Sequence, residues 1–224
     1  MIGQLRARPV TALTVALLST LTASAMTIGA DTMWLVAMGD RMIEARRVIH
    51  GIPFAAAATE QWPNVPALAE ILFSVVHRLG LVGIGLLHLV GSLAAWLVTS
   101  ASVQTRSGRP GSPAASGARP GGRGPVRSSS VDRAAAVTVA MVVAGSLTVW
   151  GVIRLQTLSP LPFSALVLLL MRQSSRPSRA IWLAVPLIAV WGNLHGAVLL
   201  GVCVLGAYLL FARLRPEPWT AVGV

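Results

Sequence analysis

The sequence predicts an all-α protein, a polytopic transmembrane helical bundle with about six spans. Hydrophobic residues make up 54% of the 224 residues and charged residues only 11%, and the mean hydropathy is +0.72. Soluble globular proteins carry roughly 25% charged residues, and disordered chains are far less apolar. The apolar residues are also gathered into long runs, as membrane-spanning helices require. Composition therefore argues against a soluble enzyme and against a disordered protein.

The apolar runs give the candidate spans in order. The first four are Val10–Ala30, Leu81–Ala101, Ala134–Ile153 and the shorter Leu158–Met171. A fifth run, Ile181–Leu210, is too long for one perpendicular span and has a polar break at 191–196, so we expect two short helices that meet there. Residues 1–25 could be a cleaved signal peptide in place of a first span, because Ala23-Ser24-Ala25 has the small-x-small form of a cleavage site.

The basic residues support this arrangement. All 18 basic residues are arginine, and the formal net charge is +11. If the N-terminus is inside and the chain changes side at every span, thirteen of the 18 arginines fall on the inner side. This positive-inside pattern predicts a multi-pass protein of the inner (plasma) membrane with a cytoplasmic N-terminus. The excess of basic charge is thereby explained by topology, which argues against nucleic acid as a partner.

The chain divides around a stretch of low complexity. In Ser102–Arg133, the four residue types Gly, Pro, Ser and Arg fill 23 of the 32 positions. Such a composition cannot bury enough apolar surface to offset the entropy of ordering, so a disordered cytoplasmic loop is expected. Residues 1–101 would hold the first two spans, residues 134–215 the other four, and residues 216–224 a C-terminal tail.

The acidic residues are concentrated in one external segment, residues 31–80. Five of the seven acids lie there: Asp31, Asp40, Glu44, Glu60 and Glu70. Within it, Thr32–Arg47 places Leu35, Met38 and Met42 at helical spacing, which predicts an amphipathic helix at the membrane interface. A second helix is expected over Leu68–Arg78.

The candidate carboxylates Asp31, Asp40 and Glu70 each have a structural alternative to a functional role. Asp31, at the outer end of the first span, could meet a lipid headgroup or cap the interfacial helix. Asp40 could lie on a solvated face and pair with a neighbouring arginine, Arg41 or Arg47. Glu70 could pair with Arg78 or be exposed.

A second polar group interrupts the last apolar run. Trp191-Gly192-Asn193-Leu194-His195-Gly196 lies at the outer face by the same topology. Asn193 and His195 could bind a substrate phosphate or sugar hydroxyl, or could cap the helix ends. Arg154 and Gln156 fall on the same side, and Arg154 is a candidate anion ligand. The single cysteine, Cys203, is expected to be a buried, inert thiol.

Several of these residues form recognisable patterns. Asp31-x-x-Trp34, Gly39, Ile43, Gly51-Ile52-Pro53, Trp62 and Leu68-Ala69-Glu70-Ile71-Leu72 resemble the first external loop of bacterial polytopic membrane proteins of the GT-C glycosyltransferase type. Residues 191–196 are similar to the W-x-N-x-H-G segment of such proteins. Arg154-Leu155-Gln156 resembles their R-P-Q segment, with leucine in place of proline.

The resemblance implies a transferase that takes a sugar from a polyprenyl-phosphate donor at the outer membrane face. Asp31 would then be the catalytic base, and the substrate-binding residues would be Asp40, Glu70, Arg154, Gln156, Asn193 and His195. A divalent cation is the one candidate cofactor, although no metal-ligand motif is present. Membrane lipid is the other expected partner.

The number of spans bears on this interpretation. Members of the family usually have ten or more spans, so a chain of six would be an N-terminal fragment, a degenerate copy or a separately encoded half. Further membrane helices from another chain could complete it. The alternative function is that of a non-enzymatic integral membrane subunit or a small transporter, and the near absence of charges within the spans argues against an ion pathway.

Overall fold

The structure, a computed structural model, describes residues 9–53, 56, 58–107, 133–134, 136–141 and 151–214, and these are mostly helical. The helices are α1 (Pro9–Ala25), α2 (Thr32–Ala45), α3 (Ala67–His77), α4 (Gly80–Ser107), α5 (Pro160–Ser175), α6 (Ala184–Gly192) and α7 (Val198–Leu214). Two short 3-10 helices, η1 (Leu155–Leu158) and η2 (Arg179–Leu183), precede α5 and α6. Residues 133–134 and 136–141 are also helical.

Two helical segments of the described chain are long and apolar enough to cross a membrane. They are Gly80–Ser102, with mean hydropathy 2.1, and Leu155–Ser175, with mean hydropathy 1.3. They coincide with the second and fourth predicted spans. Shorter apolar helices are Pro9–Ala25, Ala67–His77, Arg179–Gly192 and Val198–Phe211.

A two-stranded parallel sheet is the main departure from the all-α prediction. Strand β1 (Thr27–Ile28) pairs with β2 (Val152–Ile153), residue for residue. The first apolar run was expected to stay helical to residue 30 and the third to residue 153, but α1 ends at Ala25 and Val152–Ile153 is extended. Hydrophobicity alone did not predict these ends, because the strands satisfy their backbone groups by pairing across a long sequence separation.

Two other boundaries can be compared with the predictions. Helix α4 continues to Ser107, so the start of the predicted disordered loop is helical, while residues 108–132 lie outside the described residues. The polar break in the last run is confirmed, because α6 ends at Gly192 and α7 begins at Val198. The predicted C-terminal tail, residues 216–224, also lies outside the described residues.

Within residues 31–80, helices α2 and α3 pack against each other. The predicted apolar face of α2, formed by Leu35, Met38 and Met42, is at most 2% exposed. Gly39 lies where α2 meets α3, and a Cβ atom there would collide with the backbone carbonyl of Glu70. One core cluster joins this pair to the strands and to α4 through Leu35, Val36, Phe73, Ile84 and Ile153.

Candidate functional site

The strand pairing brings the first candidate pair together. The Gly29 amide donates a 2.9 Å hydrogen bond to the carbonyl of Ile153, and the hydroxyl of Thr32 donates a 2.8 Å bond to the same oxygen. Asp31 lies between Gly29 and Thr32, Arg154 directly follows Ile153, and Arg154 Nε lies 4.0 Å from Asp31 Oδ1. Their side chains are 45% and 53% exposed. A carboxylate and a guanidinium are thus held side by side and open to a ligand.

Gly29 makes this close approach of two chain segments feasible. A Cβ atom at this position would lie within 2.8 Å of Arg154 Cγ, the Ile153 carbonyl oxygen and Asp31 Oδ1. A side chain at Gly29 would therefore force the two segments apart.

Asp31 occupies the N-cap position of α2 but does not cap it with its side chain. Its backbone carbonyl accepts the Leu35 amide at 3.0 Å, as expected at a helix start, whereas its carboxylate makes no capping hydrogen bond. Asp31 therefore caps α2 through its backbone carbonyl alone. The carboxylate faces Arg154 instead.

An apolar cavity lies beside the two strands that lead to this pair. It has a volume of ≈ 370 Å³ and is lined by Met26, Ile28, Leu81, Val82, Gly85, Leu86, Leu89 and Ile153. Ile28 and Ile153 are the last residues of the two paired strands, and Asp31 and Arg154 follow them. The cavity could take a hydrocarbon chain whose polar end lies at the charged pair.

Asp40 and Glu70, both predicted to bind substrate, lie between α2 and α3. Glu70 is 1% exposed, and its Oε2 accepts a 2.6 Å hydrogen bond from Asn64 Nδ2. The Ser74 hydroxyl donates to Asp40 Oδ1 at 2.5 Å. The prediction that Glu70 pairs with Arg78 or is exposed is wrong, because helix packing removes it from water.

Burial also changes the acidity of Glu70. Desolvation raises the pKa of its carboxyl above the usual range, and the hydrogen bond from Asn64 offsets part of that effect. Asp40 is nine residues from Asp31 along α2, or about 14 Å of helix rise. Asp40 thus links α2 to α3 through Ser74, at a distance from the Asp31–Arg154 pair, whereas Glu70 is bonded to Asn64 in the loop before α3.

The second candidate group is organised around His195. The Ser159 hydroxyl and His195 Nδ1 are 2.9 Å apart, and Trp191 Nε1 donates to Ser159 Oγ at 3.1 Å. The Ala197 amide donates to His195 Nδ1 at 3.1 Å. Burial lowers the pKa of the His195 imidazole.

The other two predicted ligands have different surroundings. Asn193 Nδ2 donates to the Ala189 carbonyl at 2.9 Å, which agrees with the helix-capping alternative. The Asn193 carbonyl accepts the Ala69 amide at 3.4 Å, so this turn touches the start of α3. Gln156 is exposed on η1.

The two groups lie at the two ends of η1. Arg154 is its N-cap residue and Ser159 its C-cap residue. Five residues of 3-10 helix rise about 10 Å. Arg154 and the Ser159–His195 contact are therefore close enough to serve one extended ligand.

Sequence reasoning missed Ser159 and Asn64. Ser159 precedes a proline at the start of α5, which predicts a helix start but does not reveal its contact with His195. Cys203 was also misjudged, since it is exposed on α7. An apolar helix can leave part of its surface exposed, so hydrophobic neighbours did not imply burial.

No group of three or more His, Cys, Asp or Glu residues that could hold a metal ion occurs in the part of the chain that the structure describes.

Searches with protein-family models, against curated proteins and against solved structures each gave no match.

Proposed function

We propose that this chain is a membrane glycosyltransferase, or part of one, that transfers a sugar from a polyprenyl-phosphate donor. The single observation that carries the proposal is the Asp31–Arg154 pair, which follows the two strands whose last residues line an apolar cavity. A lipid-linked sugar phosphate needs these same three features, namely a base for the acceptor, a positive group for the phosphate and an apolar surface for the isoprenoid chain.

The reaction assigns a distinct role to each charged residue. An acceptor hydroxyl attacks the anomeric carbon of the sugar, and its proton passes to the Asp31 carboxylate. The bond between the anomeric carbon and the phosphate oxygen breaks, and the polyprenyl phosphate leaves with the electron pair. Arg154 is the cation that stabilises the negative charge on this leaving group.

The partial exposure of Asp31 and Arg154 supports these roles. Glu70 is fully buried and already hydrogen-bonded, so it is poorly placed to meet an acceptor. Asp31 and Arg154, in contrast, are each about half exposed and lie 4.0 Å apart. A phosphate could bind Arg154 in place of the carboxylate, which would leave Asp31 available for the acceptor.

We also propose the six-span topology. The N-terminus lies on the cytoplasmic side of the inner membrane, and α2 lies at the outer membrane interface. The end of the first predicted span and the end of the third pair as β1 and β2, as expected if both emerge on the same side. The contact between Asn193 and Ala69 likewise joins two segments that the topology assigns to the outside. Both contacts support the side assignment that places Asp31, Arg154 and His195 outside.

The experiment is a transfer assay on the full chain in lipid nanodiscs, with a panel of polyprenyl-monophosphate sugars and release of the polyprenyl phosphate as readout. We expect Asp31→Asn to lower the rate about 10²- to 10⁴-fold, the usual contribution of a general base. Glu44→Gln is the matched control, because Glu44 is an exposed acid on the same helix. Full activity of Asp31→Asn would exclude Asp31 as the base.

A role as a subunit of a larger membrane assembly is the second candidate. The exposed apolar surface of α7 favours it. Leu199, Leu210 and Phe211 are each at least 60% exposed there. Cys203 lies on the same helix and is the only cysteine of the chain. A Cys203–Cys203 crosslink in oxidised membranes would show that α7 packs against a second copy, and its absence alongside transfer activity would favour an enzyme that acts alone.

A further inference from the structure

The hydrogen bonds of His195 determine which of its ring nitrogens carries the proton. A backbone N–H can only donate, and the Ala197 amide points at His195 Nδ1 from 3.1 Å. Nδ1 must therefore be an acceptor without a proton. In a neutral imidazole the proton is then on Nε2.

Ser159 strengthens the same assignment. Trp191 Nε1–H has no acceptor capacity, so in its 3.1 Å contact it donates to Ser159 Oγ. The hydroxyl hydrogen of Ser159 is then free to point at His195 Nδ1, 2.9 Å away. Two donors thus converge on Nδ1, and protonation of this nitrogen would break both bonds.

The surroundings of His195 also disfavour the charged imidazolium. Burial lowers the pKa of the ring, and the two donors on Nδ1 act against protonation at that nitrogen. Within the described residues, His195 Nε2 has no hydrogen-bond partner. The ring therefore presents one unused N–H group.

We propose that Ser159 and Trp191 are positioning residues that hold His195 as the neutral Nε2–H tautomer, and that this N–H donates to a phosphate oxygen of the bound lipid donor. The choice of a phosphate rests on the proposed function, because Arg154 lies at the other end of η1 and supplies the positive charge. His195 then acts as a hydrogen-bond donor to the leaving phosphate and takes no proton from the acceptor.

The tautomer can be measured without any transfer activity. The chain has four histidines, so histidine labelled with ¹⁵N gives few imidazole signals, and His195→Gln assigns those of His195. For the full chain in nanodiscs at neutral pH, we expect an unprotonated Nδ1 and a protonated Nε2. A charged ring, or a proton on Nδ1, would overturn the proposal.

Variants test whether Ser159 and Trp191 fix this state. We expect Ser159→Ala to shift the Nδ1 signal, because Nδ1 loses one of its two donors while the Ala197 amide still keeps it unprotonated. We expect Ser159→Thr to restore the wild-type signals and Trp191→Phe to give a smaller shift. Ser164→Ala is the matched control on the same helix, because Ser164 bonds to Thr99 and not to His195. Trp182→Phe is the control for an exposed tryptophan. Identical His195 signals in Ser159→Ala and wild type would exclude a positioning role for Ser159.

The ligand is tested by titration with farnesyl phosphate, and farnesol serves as the control without a phosphate. We expect farnesyl phosphate to shift the Nε2 signal and to leave Nδ1 unprotonated, with no shift from farnesol. An equal shift with inorganic phosphate alone would show that the site binds the phosphate group without the lipid chain. No shift with either phosphate would overturn the assignment of His195 as a phosphate donor. A shift by farnesyl phosphate without any sugar transfer would instead contradict the proposed enzyme function.

Discussion

Two sets of carboxylates within residues 31–80 differ in what surrounds them. Asp40 and Glu70 lie between α2 and α3 and bind the neutral donors Ser74 and Asn64. Asp31 lies at the junction of β1 and β2, about half exposed, and faces a guanidinium. All three are acids of one short segment, yet the first two are held by hydrogen bonds within the helix pair and its loop, and the third is open to a ligand.

The difference shows that the surroundings of a carboxylate, more than its residue type, separate a structural acid from a candidate base: Glu70 is buried, Asp40 bonds to a neighbouring helix, and Asp31 faces a cation. A buried carboxyl with a neutral partner favours its protonated form, as the raised pKa of Glu70 shows. An exposed carboxylate beside a cation keeps its charge and can exchange partners. Each of the following changes tests one side of this contrast.

Arg154→Gln should have the largest effect, and it should affect catalysis and not folding. Loss of a group that stabilises developing negative charge costs about 10²- to 10³-fold in rate. The free energy of unfolding should change by less than about 1 kcal/mol, because the ion pair is half exposed. Transfer assays and thermal unfolding on the same nanodisc sample give both values. Arg47→Gln, at an exposed arginine after α2, is the control. Unfolding of the Arg154 variant would assign the pair a structural role.

Gly39→Ala should be the most damaging small change to the helix pair. The new methyl group would meet the Glu70 carbonyl, and overpacking of this kind costs about 1–3 kcal/mol. Chemical denaturation in detergent measures the loss. Gly91→Ala is the matched control within α4, since a Cβ atom there meets nothing within 4 Å. Equal stability of the two variants would contradict the close crossing of α2 and α3.

Glu70→Gln should remove a pH dependence of stability. Because the pKa of Glu70 is raised in the folded state, the folded chain holds this proton at a higher pH than the unfolded chain. The free energy of unfolding should therefore fall as pH rises from about 4.3, the ordinary glutamate value, to the raised folded value. Denaturation at a series of pH values measures the slope, which should flatten in the variant. The exposed Glu44→Gln should keep it, and a flat wild-type profile would contradict the prediction.

Asp40→Asn should have the smallest effect. The amide oxygen can still accept the Ser74 hydroxyl, and Asp40 is itself exposed. We expect a change below about 1 kcal/mol in the free energy of unfolding, since only the charge on the acceptor is lost. A larger loss would mean that the charge of Asp40, and not its hydrogen bond, holds the helices.

Local pattern in the sequence predicted much of the secondary structure. The spacing of Leu35, Met38 and Met42 predicted the buried face of α2, and the two glycines around Asn193 and His195 predicted the break between α6 and α7. These features depend on periodicity and on backbone freedom, which are properties of adjacent residues. The sequence also predicted that Asp31, Arg154 and His195 lie on the same side of the membrane.

Contacts between distant residues could be determined only by the tertiary structure. The β1–β2 pairing places Arg154 beside Asp31, the crossing at Gly39 buries Glu70, and the start of α5 brings Ser159 to His195. No local pattern encodes such contacts. Each depends on how separate helices pack and on which backbone N–H and C=O groups still need a hydrogen-bond partner after packing. The sequence thus determined the helices and the inventory of polar groups. The packing determined that Glu70 is buried and that Asp31 stays half exposed, because only packing decides which groups lose water.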